Sequence, residues 1–432
     1  MAGRKWYKLD NAAKIVPSTE AGTDNRVFRL VCELKEEVDP ALLQKALDDT
    51  IPEFPHFQSY LRKGLFWYYL VETDQRVVVT EDNLPACSAL YRPGKRNPLY
   101  RLNYYKKRIN LEMYHALSDG TGAFEFLKAI VLRYLAAKYS LTDAQLEWNQ
   151  ASVHEKKDDA FGKFYEKQKN AGLVPSVASA NERAWQIRGE RDENVKLHLL
   201  EATLSVQQFL QLARSYHTTL AVLAASILIE SILREMRVRD YKYPIVIAIP
   251  VNLRNYFPSE TTRNFFGVMD VVYHPENYHG SLEDIIPAVR DTFRRELTEE
   301  KVFASMNSYS ALENNWGIKV APLKLKDIVV AGFNNARKRE VTMTLSNVGK
   351  VNMPQAAVPY IHKFVSFMAA ENMQICVSSF GDQLVFGVTS AFRNHEIMKH
   401  FFRRLTDMGM QVELSTSDFN TDEKSPSCAA RP

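Results

Sequence analysis

A chain of 432 residues is long enough for two domains with sizeable cores. Apolar residues make up 46% and charged residues 25%, as in ordinary globular proteins, and a net charge of +4 is too small for a nucleic-acid-binding protein. The four cysteines form no Cys-x-x-Cys pair, which argues against a zinc site and a disulfide scaffold. We expect no signal peptide, because residues 1–16 lack an apolar core, and no transmembrane segment, because the most apolar stretch, 220–229, is too short. We therefore expect a protein of the reducing cytoplasm.

The first hundred residues predict strands and one helix. Asp39 and Pro40 are typical residues for the N-cap and first turn of a helix, which should end before Pro52. Several prolines and one glycine predict a loop over 83–98. Strands are predicted at 27–34, 66–71 and 76–80.

The most informative stretch reads His115-x-x-x-Asp119-Gly120. Upstream, apolar and polar residues alternate over 109–114, which predicts a half-buried strand. His115 continues the apolar face, so its imidazole should point inward. Two glycines then interrupt the pattern before a helix that reaches about residue 139, and Gly120 would permit a sharp bend or the close approach of a ligand.

This pattern suits proton transfer. A partly buried imidazole stays neutral near pH 7 and can accept a proton from a hydroxyl or amine. A buried Asp119 needs an arginine or backbone donors, and that pairing would fix the turn that aims His115. A core histidine followed by a helix-capping aspartate is the alternative. A metal pair would need a helix, and a dinucleotide loop would need a glycine where Glu125 stands.

The rest of the chain predicts a polar crossover at 141–194, with a helix near 161–171, and then a second series of strands and helices. Segment 304–328 has a mixed pattern, and the tail from residue 415 is polar enough to be disordered. The whole pattern is α+β. Strands are predicted at 195–203, 243–251, 268–273, 341–347, 364–369, 373–380 and 384–389. Helices are predicted at 219–236, 283–297 and 395–410, with a capped start at Ser205 for another.

Taken together, these segments resemble the chloramphenicol-acetyltransferase-like superfamily, and within it the free-standing condensation-domain-like acyltransferases, which include alcohol acetyltransferases and polyketide-associated acyltransferases. The resemblance covers most of residues 25–410. Besides the His-x-x-x-Asp-Gly motif, it rests on Pro-Val-Asn-Leu-Arg at 250–254, Asn-Phe-Phe-Gly at 264–267 and Leu-Ser-Asn-Val-Gly at 345–349. Tyr114 replaces a second histidine usual in peptide-synthetase condensation domains, and the plant Asp-Phe-Gly-Trp-Gly motif is absent.

The resemblance implies two lobes, each a mixed sheet with flanking helices, and an active-site channel between them. The N-terminal lobe would span 1–180 with the crossover, the C-terminal lobe 181–414, and the disordered tail 415–432. His115 would lie in the middle of the channel as the general base. Asp119 would be structural, and Arg254 is the candidate for its arginine partner.

Other roles follow for the proposed chemistry. Ser346 and Asn347, which should end a strand in the second lobe, are candidate donors to the oxyanion or substrate, with ordinary turn residues as the alternative. Arg337, Lys338 and Arg339 are candidates for binding the phosphates of coenzyme A, although a solvated charge run is the more common explanation of such a pattern. No metal and no acyl-enzyme intermediate are needed.

The function expected is therefore transfer of an acyl group, most simply acetyl, from acyl-CoA as co-substrate to a small alcohol. No permanently bound cofactor is expected. One alternative uses an acyl carrier protein as donor or an amine as acceptor, which would make the enzyme an amide-forming condensation catalyst. The other is a non-catalytic relative that only binds, which the intact motif disfavours.

Overall fold

The computed structural model describes residues 5–146, 151–164, 182–191, 197–314 and 320–417. In chain order its strands are β1 Trp6–Lys8, β2 Val27–Leu34, β3 Ser59–Lys63, β4 Tyr68–Glu72, β5 Thr80–Glu81, β6 Tyr100–Tyr105, β7 Arg108–Tyr114, β8 His198–Ser205, β9 Ile245–Asn252, β10 Phe266–Tyr273, β11 Met343–Lys350, β12 Ile361–Met368, β13 Met373–Phe380, β14 Gln383–Ser390 and β15 Glu413–Thr416. Its helices are α1 Asn11–Ile15, α2 Pro40–Thr50, α3 Gly120–Tyr139, α4 Asp143–Leu146, α5 Val153–Lys156, α6 Ala160–Phe164, α7 Val206–Ser215, α8 Leu220–Glu235, α9 Leu282–Glu296, α10 Glu299–Asn314, α11 Leu323–Glu340 and α12 Glu396–Asp407.

Two large sheets define two lobes, which confirms the predicted α+β fold class. The N-terminal sheet has the strand order β12-β2-β7-β6-β5 and the C-terminal sheet the order β10-β9-β11-β13-β14-β8-β15. A smaller sheet, β1-β4-β3, lies beside the first lobe. Helices α2 and α3 pack together on the first lobe, and the buried helix α8 packs between α9 and α12 in the second.

One strand crosses from the second half of the chain into the first lobe. β12 pairs antiparallel with β2 over its length, with Phe364 opposite Cys32. The predicted division at residue 180 therefore needs a correction, because the segment 181–414 contains a strand of the N-terminal sheet. β12 also packs against β13 and β14 of the other sheet, and its Lys363 pairs with the buried Glu201 at 2.5 Å.

The predicted half-buried strand before the motif is buried on both faces instead. β7 lies between β2 and β6, and from Ile109 onward even its polar residues are buried. The carboxylate of Glu112 is fully buried, where it pairs with Arg29 at 2.7 Å and with Arg101 at 3.2 Å. The alternation of polar residues thus marks a buried ionic network, not a solvent face.

Other elements differ from the prediction at identifiable places. Strand β3 and helix α11 were not predicted; α11 occupies part of the segment interpreted as mixed. The tail prediction is wrong at its start, because β15 pairs with β8 and includes residues 415–416. The predicted helix near 161–171 is confirmed only as α6, and its later part, like the tail from 418, lies outside the described residues.

In the described part of the chain, no single helix has the length and hydropathy of a membrane-spanning segment; only α7 and α8 taken together pass that test, and they meet at a bend of 79°.

Candidate active site

His115 directly follows the central strand β7. Its backbone N–H donates to the carbonyl of Arg26 at 2.8 Å, which fixes the residue at the strand end. The imidazole is packed by Phe28 and Phe266, with ring centroids 5.4 Å away on each side, and the residue remains partly accessible to solvent. Burial lowers the pKa of His115 from its usual 6.5, although the nearby Asp119 carboxylate opposes this change. The ring is therefore neutral at physiological pH.

A hydrogen bond fixes which imidazole nitrogen carries the proton. The Nδ1 atom of His115 lies 3.0 Å from Oδ1 of Asn264. The amide group of Asn264 donates from Nδ2 to Oδ2 of Asp10 at 3.2 Å, and its backbone N–H donates to the same oxygen. Because a carboxylate only accepts, the amide oxygen of Asn264 must face the histidine, so Nδ1–H donates and Nε2 keeps its lone pair.

Neither Asn264 nor Asp10 was singled out from the sequence. Asn264 opens the Asn-Phe-Phe-Gly segment, so its position was noted but its contact was not. Asp10 caps the short helix α1, where it accepts from the N–H of Ala13 at 2.7 Å. It lies 254 positions from Asn264, and no local pattern connects the two.

Asp119 is the N-cap of α3 and is 3% exposed. It accepts from the backbone N–H groups of Gly122 and Phe265, each at 2.8 Å. Nη1 of Arg254 donates at 2.8 Å to Oδ2, the oxygen that also accepts from Phe265, so the predicted ion pair is present. These contacts point the carboxylate toward the protein interior, as a structural role requires.

Arg254 also organises the loop that carries Asn264. Its guanidinium donates to the carbonyls of Thr261 at 2.8 Å, Arg263 at 2.7 Å and Phe265 at 3.4 Å. The ion pair with Asp119 therefore connects the start of α3 in one lobe to the loop 261–265 of the other lobe. Through that loop it positions the amide that contacts His115.

The glycine that the packing requires is Gly122, not Gly120. Gly120 starts α3, and a Cβ there would meet no atom within 4 Å. A Cβ on Gly122 would come far inside van der Waals contact with the carbonyl oxygen of Thr262. Gly120 has no positive φ, so its backbone conformation does not require a glycine, and the approach of a ligand there stays a prediction, while Gly122 permits the close approach of α3 to the loop 261–265.

A cavity of about 1280 Å³ lies between the two lobes, beside the start of α3. Thr121 and Phe124 line it from the first turns of α3, and Nδ2 of Asn252 donates to the Thr121 hydroxyl at 3.3 Å across the lobes. His115 itself is not among the lining residues, so the predicted central position in a channel stays a prediction. Thr121, the first lining residue in chain order, lies only six positions after the histidine.

The cavity wall is rich in cations. Its positively charged lining residues are Lys128, Arg214, Arg290, Arg294 and Lys350. Lys128 pairs with Glu125 at 2.8 Å, whereas the other four form no ion pair with any residue that the structure describes. The Nε–H of Arg290 is buried and has no hydrogen-bond partner among those residues. The wall is therefore suited to an anionic ligand.

The sequence contained one signal for this wall. Arg290 and Arg294 are four positions apart on α9, a spacing that puts both on one helix face. Arg214 and Lys350 come from α7 and β11, so only the fold brings them near.

The other predicted site residues are not brought to His115. Ser346 and Asn347 do not end a strand, because β11 continues through a bulge to Lys350. Asn347 lines the cavity and accepts from the N–H of Gly349 at 3.0 Å, while Ser346 is not a lining residue. Their role toward an oxyanion stays a prediction.

The basic run at the end of α11 lies away from this cavity. Arg337 pairs with Asp270 and Glu340, and Lys338 pairs with Glu371 at 2.5 Å. Two of its three charges are thus neutralised by carboxylates. The cavity wall replaces this run as our candidate for phosphate binding.

The described cysteines, Cys32, Cys87 and Cys376, are free and buried. Burial raises the pKa of all three thiols, so they are poor nucleophiles. Within the described ranges, no group of three or more His, Cys, Asp or Glu side chains is arranged to hold a metal ion.

No family model and no curated protein matches this sequence. Solved structures do match over nearly the whole chain. F. graminearum TRI101 complexed with coenzyme A and deoxynivalenol aligns with a TM-score of 0.64 at 13% identity, covering 94% of this chain and 99% of that one. Polyketide synthase associated protein 5 from Mycobacterium tuberculosis aligns with a TM-score of 0.62 at 14% identity, covering 94% and 98%.

A third match is TRI3, the trichothecene 15-O-acetyltransferase from Fusarium sporotrichioides, with a TM-score of 0.60 at 9% identity over 94% of this chain and 95% of that one. Such low identities show the fold alone. The chain has the two-lobed chloramphenicol-acetyltransferase-like fold that the resemblance implied.

We expect Gly122→Ala and Gly120→Ala to have opposite effects on stability. The first should lower the free energy of unfolding by about 1–3 kcal/mol, because its methyl group overpacks against Thr262. The second should be neutral or stabilise by up to about 1 kcal/mol, because alanine favours a helix and meets open space. Urea unfolding of both variants checks this, and equal effects would contradict the assigned contact.

Asp119→Asn should lower the free energy of unfolding by about 3 kcal/mol, because Arg254 would keep a buried charge without its counter-charge. Asp39→Asn is the matched control. Asp39 is also a helix N-cap, at the start of α2, but it is exposed and forms no ion pair with a described residue. Since asparagine caps helices as well as aspartate does, that control should unfold like the wild type. Similar unfolding curves for Asp119→Asn and wild type would refute the structural role of the pair.

Proposed function

We propose that this protein is an O-acyltransferase that transfers an acyl group, most simply acetyl, from coenzyme A to an alcohol. The observation that carries the proposal is the state of His115. Its Nδ1 is occupied by Asn264, its pKa is lowered by burial, and its Nε2 has a free lone pair. Such an imidazole is a general base that is ready to act near neutral pH.

In the proposed reaction, Nε2 of His115 accepts the proton of the acceptor hydroxyl as its oxygen attacks the thioester carbonyl. The C–S bond of the tetrahedral intermediate then breaks, and the imidazolium returns the proton to the leaving thiolate. The products are the ester and free coenzyme A, so protons and bonds balance without an acyl-enzyme. A positioned base of this kind contributes roughly 10²–10⁴-fold to the rate.

The electrostatics of the cavity support coenzyme A as the donor. Its phosphates and pyrophosphate are anionic, and Arg214, Arg290, Arg294 and Lys350 provide cations that form no ion pair with any described residue. Arg290 lines the cavity, and its guanidinium is a candidate donor of charge-assisted hydrogen bonds to these groups. Solved proteins of the same fold hold coenzyme A, which supports the same choice here.

An alcohol is the acceptor that the same comparisons favour, since TRI3 is named as an O-acetyltransferase. The neutral base at His115 matches this choice, because a hydroxyl group must lose its proton as it attacks.

The decisive experiment incubates the purified protein with acetyl-CoA and a panel of alcohols and amines, and follows free thiol. We expect thiol release that depends on an alcohol, and a loss of roughly 10²–10⁴-fold in His115→Ala. Thiol release at an equal rate in the variant would remove the proposed base. Release that occurs only with amines would instead favour the amide-forming alternative.

The pH dependence of kcat/KM provides an internal check on the same reaction. Protonation of His115 abolishes the base, so the rate should fall as the pH drops through the pKa of the free enzyme. Because burial lowers that pKa, the midpoint should lie below 6.5. A midpoint above 6.5 would mean that another group, or a less buried imidazole, controls the reaction.

Arg290→Gln should raise KM for acetyl-CoA by roughly tenfold with little change in kcat, since it removes one charge-assisted hydrogen bond to a distant part of the donor. Arg339→Gln is the control, because this arginine lies in the basic run at the end of α11, outside the cavity lining. Steady-state kinetics with varied acetyl-CoA compare the two. Equal KM values would place the phosphates elsewhere.

A further inference from the structure

Helix α11 presents an apolar face to solvent. Leu325, Ile328, Val329 and Phe333 follow the three-to-four-residue spacing of one helix face, and their exposed fractions are 55%, 70%, 48% and 73%. Surface helices of globular proteins normally bury such a face. The exposed residues form a continuous apolar stripe, and such stripes, unlike single exposed apolar residues, indicate an interaction site.

The opposite face of α11 is polar and packs on the protein. Asp327 accepts from the Ser18 hydroxyl at 2.7 Å and pairs with Lys63 at 2.9 Å. Asn334 bonds the Thr19 carbonyl and the Arg26 guanidinium, at 3.4 Å each. The helix is therefore held by its polar side, which directs its apolar side outward.

The turn between β3 and β4 extends this apolar face. Leu65 and Phe66 at the turn are 74% and 44% exposed. The N–H of Leu323 donates to the Leu65 carbonyl, and the ammonium of Lys326 donates to the Phe66 carbonyl, both at 2.9 Å. Helix and turn thus form one surface, which we call the α11–turn surface: Leu65, Phe66, Leu325, Ile328, Val329 and Phe333.

Cations surround the α11–turn surface. Lys324 and Lys326 flank the apolar stripe on the helix, and Arg62 and Lys63 precede the turn, where Lys63 is paired with Asp327. The Lys326 ammonium also lies 3.6 Å from the centre of the Trp67 ring, so its charge is held beside the apolar stripe. The surface therefore combines exposed aliphatic and aromatic groups with a positive border.

We propose that the α11–turn surface docks on an anionic lipid bilayer. Apolar side chains of an exposed helix face enter the boundary between headgroups and acyl chains, and the flanking cations contact anionic headgroups. A second copy of the chain is a poorer occupant, because its own cationic border would face this one across a two-fold interface. The proposal is independent of the acyl-transfer chemistry and concerns where the protein works.

The test is co-sedimentation with vesicles of phosphatidylcholine alone and of phosphatidylcholine mixed with phosphatidylserine. The wild-type chain should bind the mixed vesicles, and salt should weaken binding. The double variant Ile328→Ser, Phe333→Ser should lose at least tenfold in affinity, because burial of each apolar side chain contributes about that factor. Lys324→Glu should bind the mixed vesicles more weakly as well. A thermal melt of each variant verifies that it remains folded.

Val238→Ser is the matched control, since Val238 is 83% exposed in a different part of the second lobe. It should bind like the wild type. Equal binding by the control and the double variant, no binding by the wild type, or equal binding to both kinds of vesicle would overturn the proposal. So would a wild-type dimer in light scattering that the double variant abolishes, because the surface would then be occupied by a second copy.

Discussion

The buried ion pair between Asp119 and Arg254 is the constraint on which the site depends. Its two members come from different lobes, and each would carry a large desolvation cost without the other. The oxygens of Asp119 accept hydrogen bonds from the start of α3 and from the backbone of Phe265. The guanidinium of Arg254 donates to three carbonyls of the loop 261–265. One pair thus fixes a helix start, a loop and the distance between the lobes.

This arrangement determines, through Asn264, which ring nitrogen of His115 carries the proton. The loop held by Arg254 carries the amide, Asp10 orients the amide, and the amide selects the protonated nitrogen of the ring. Burial between Phe28 and Phe266 then keeps the ring neutral. The lone pair on Nε2 of His115, to which we assign the role of base in the proposed reaction, therefore depends on contacts among distant parts of the chain.

Local patterns in the sequence predicted the features that depend on local chemistry. The strand and helix around His115, the capped helix α2 and the buried helix α8 could be inferred from neighbouring residues, while the capping role of Asp119 was considered as an alternative. The family resemblance added Arg254 and the two-lobed fold. Asp10, the close approach at Gly122 and the cationic wall could not be inferred, because each depends on residues that meet only after folding. Helix α11 was not predicted, although Leu325, Ile328, Val329 and Phe333 have helical spacing, and two residues of the basic run at its end proved to be paired with acids from other elements.

The position of strand β12 determines whether the two lobes can fold separately. β12 belongs to the N-terminal sheet, but it follows β8 to β11 of the C-terminal sheet in the chain. The next strand, β13, lies in the C-terminal sheet again. A polypeptide that ended between the lobes would leave one edge of β2 without its neighbour, and the alternate N–H and C=O groups along that edge would lose their strand partners. The lobes are therefore not separable modules: cleavage in the crossover should give fragments that stay associated, and neither half should be expressible alone as a well-behaved monomer.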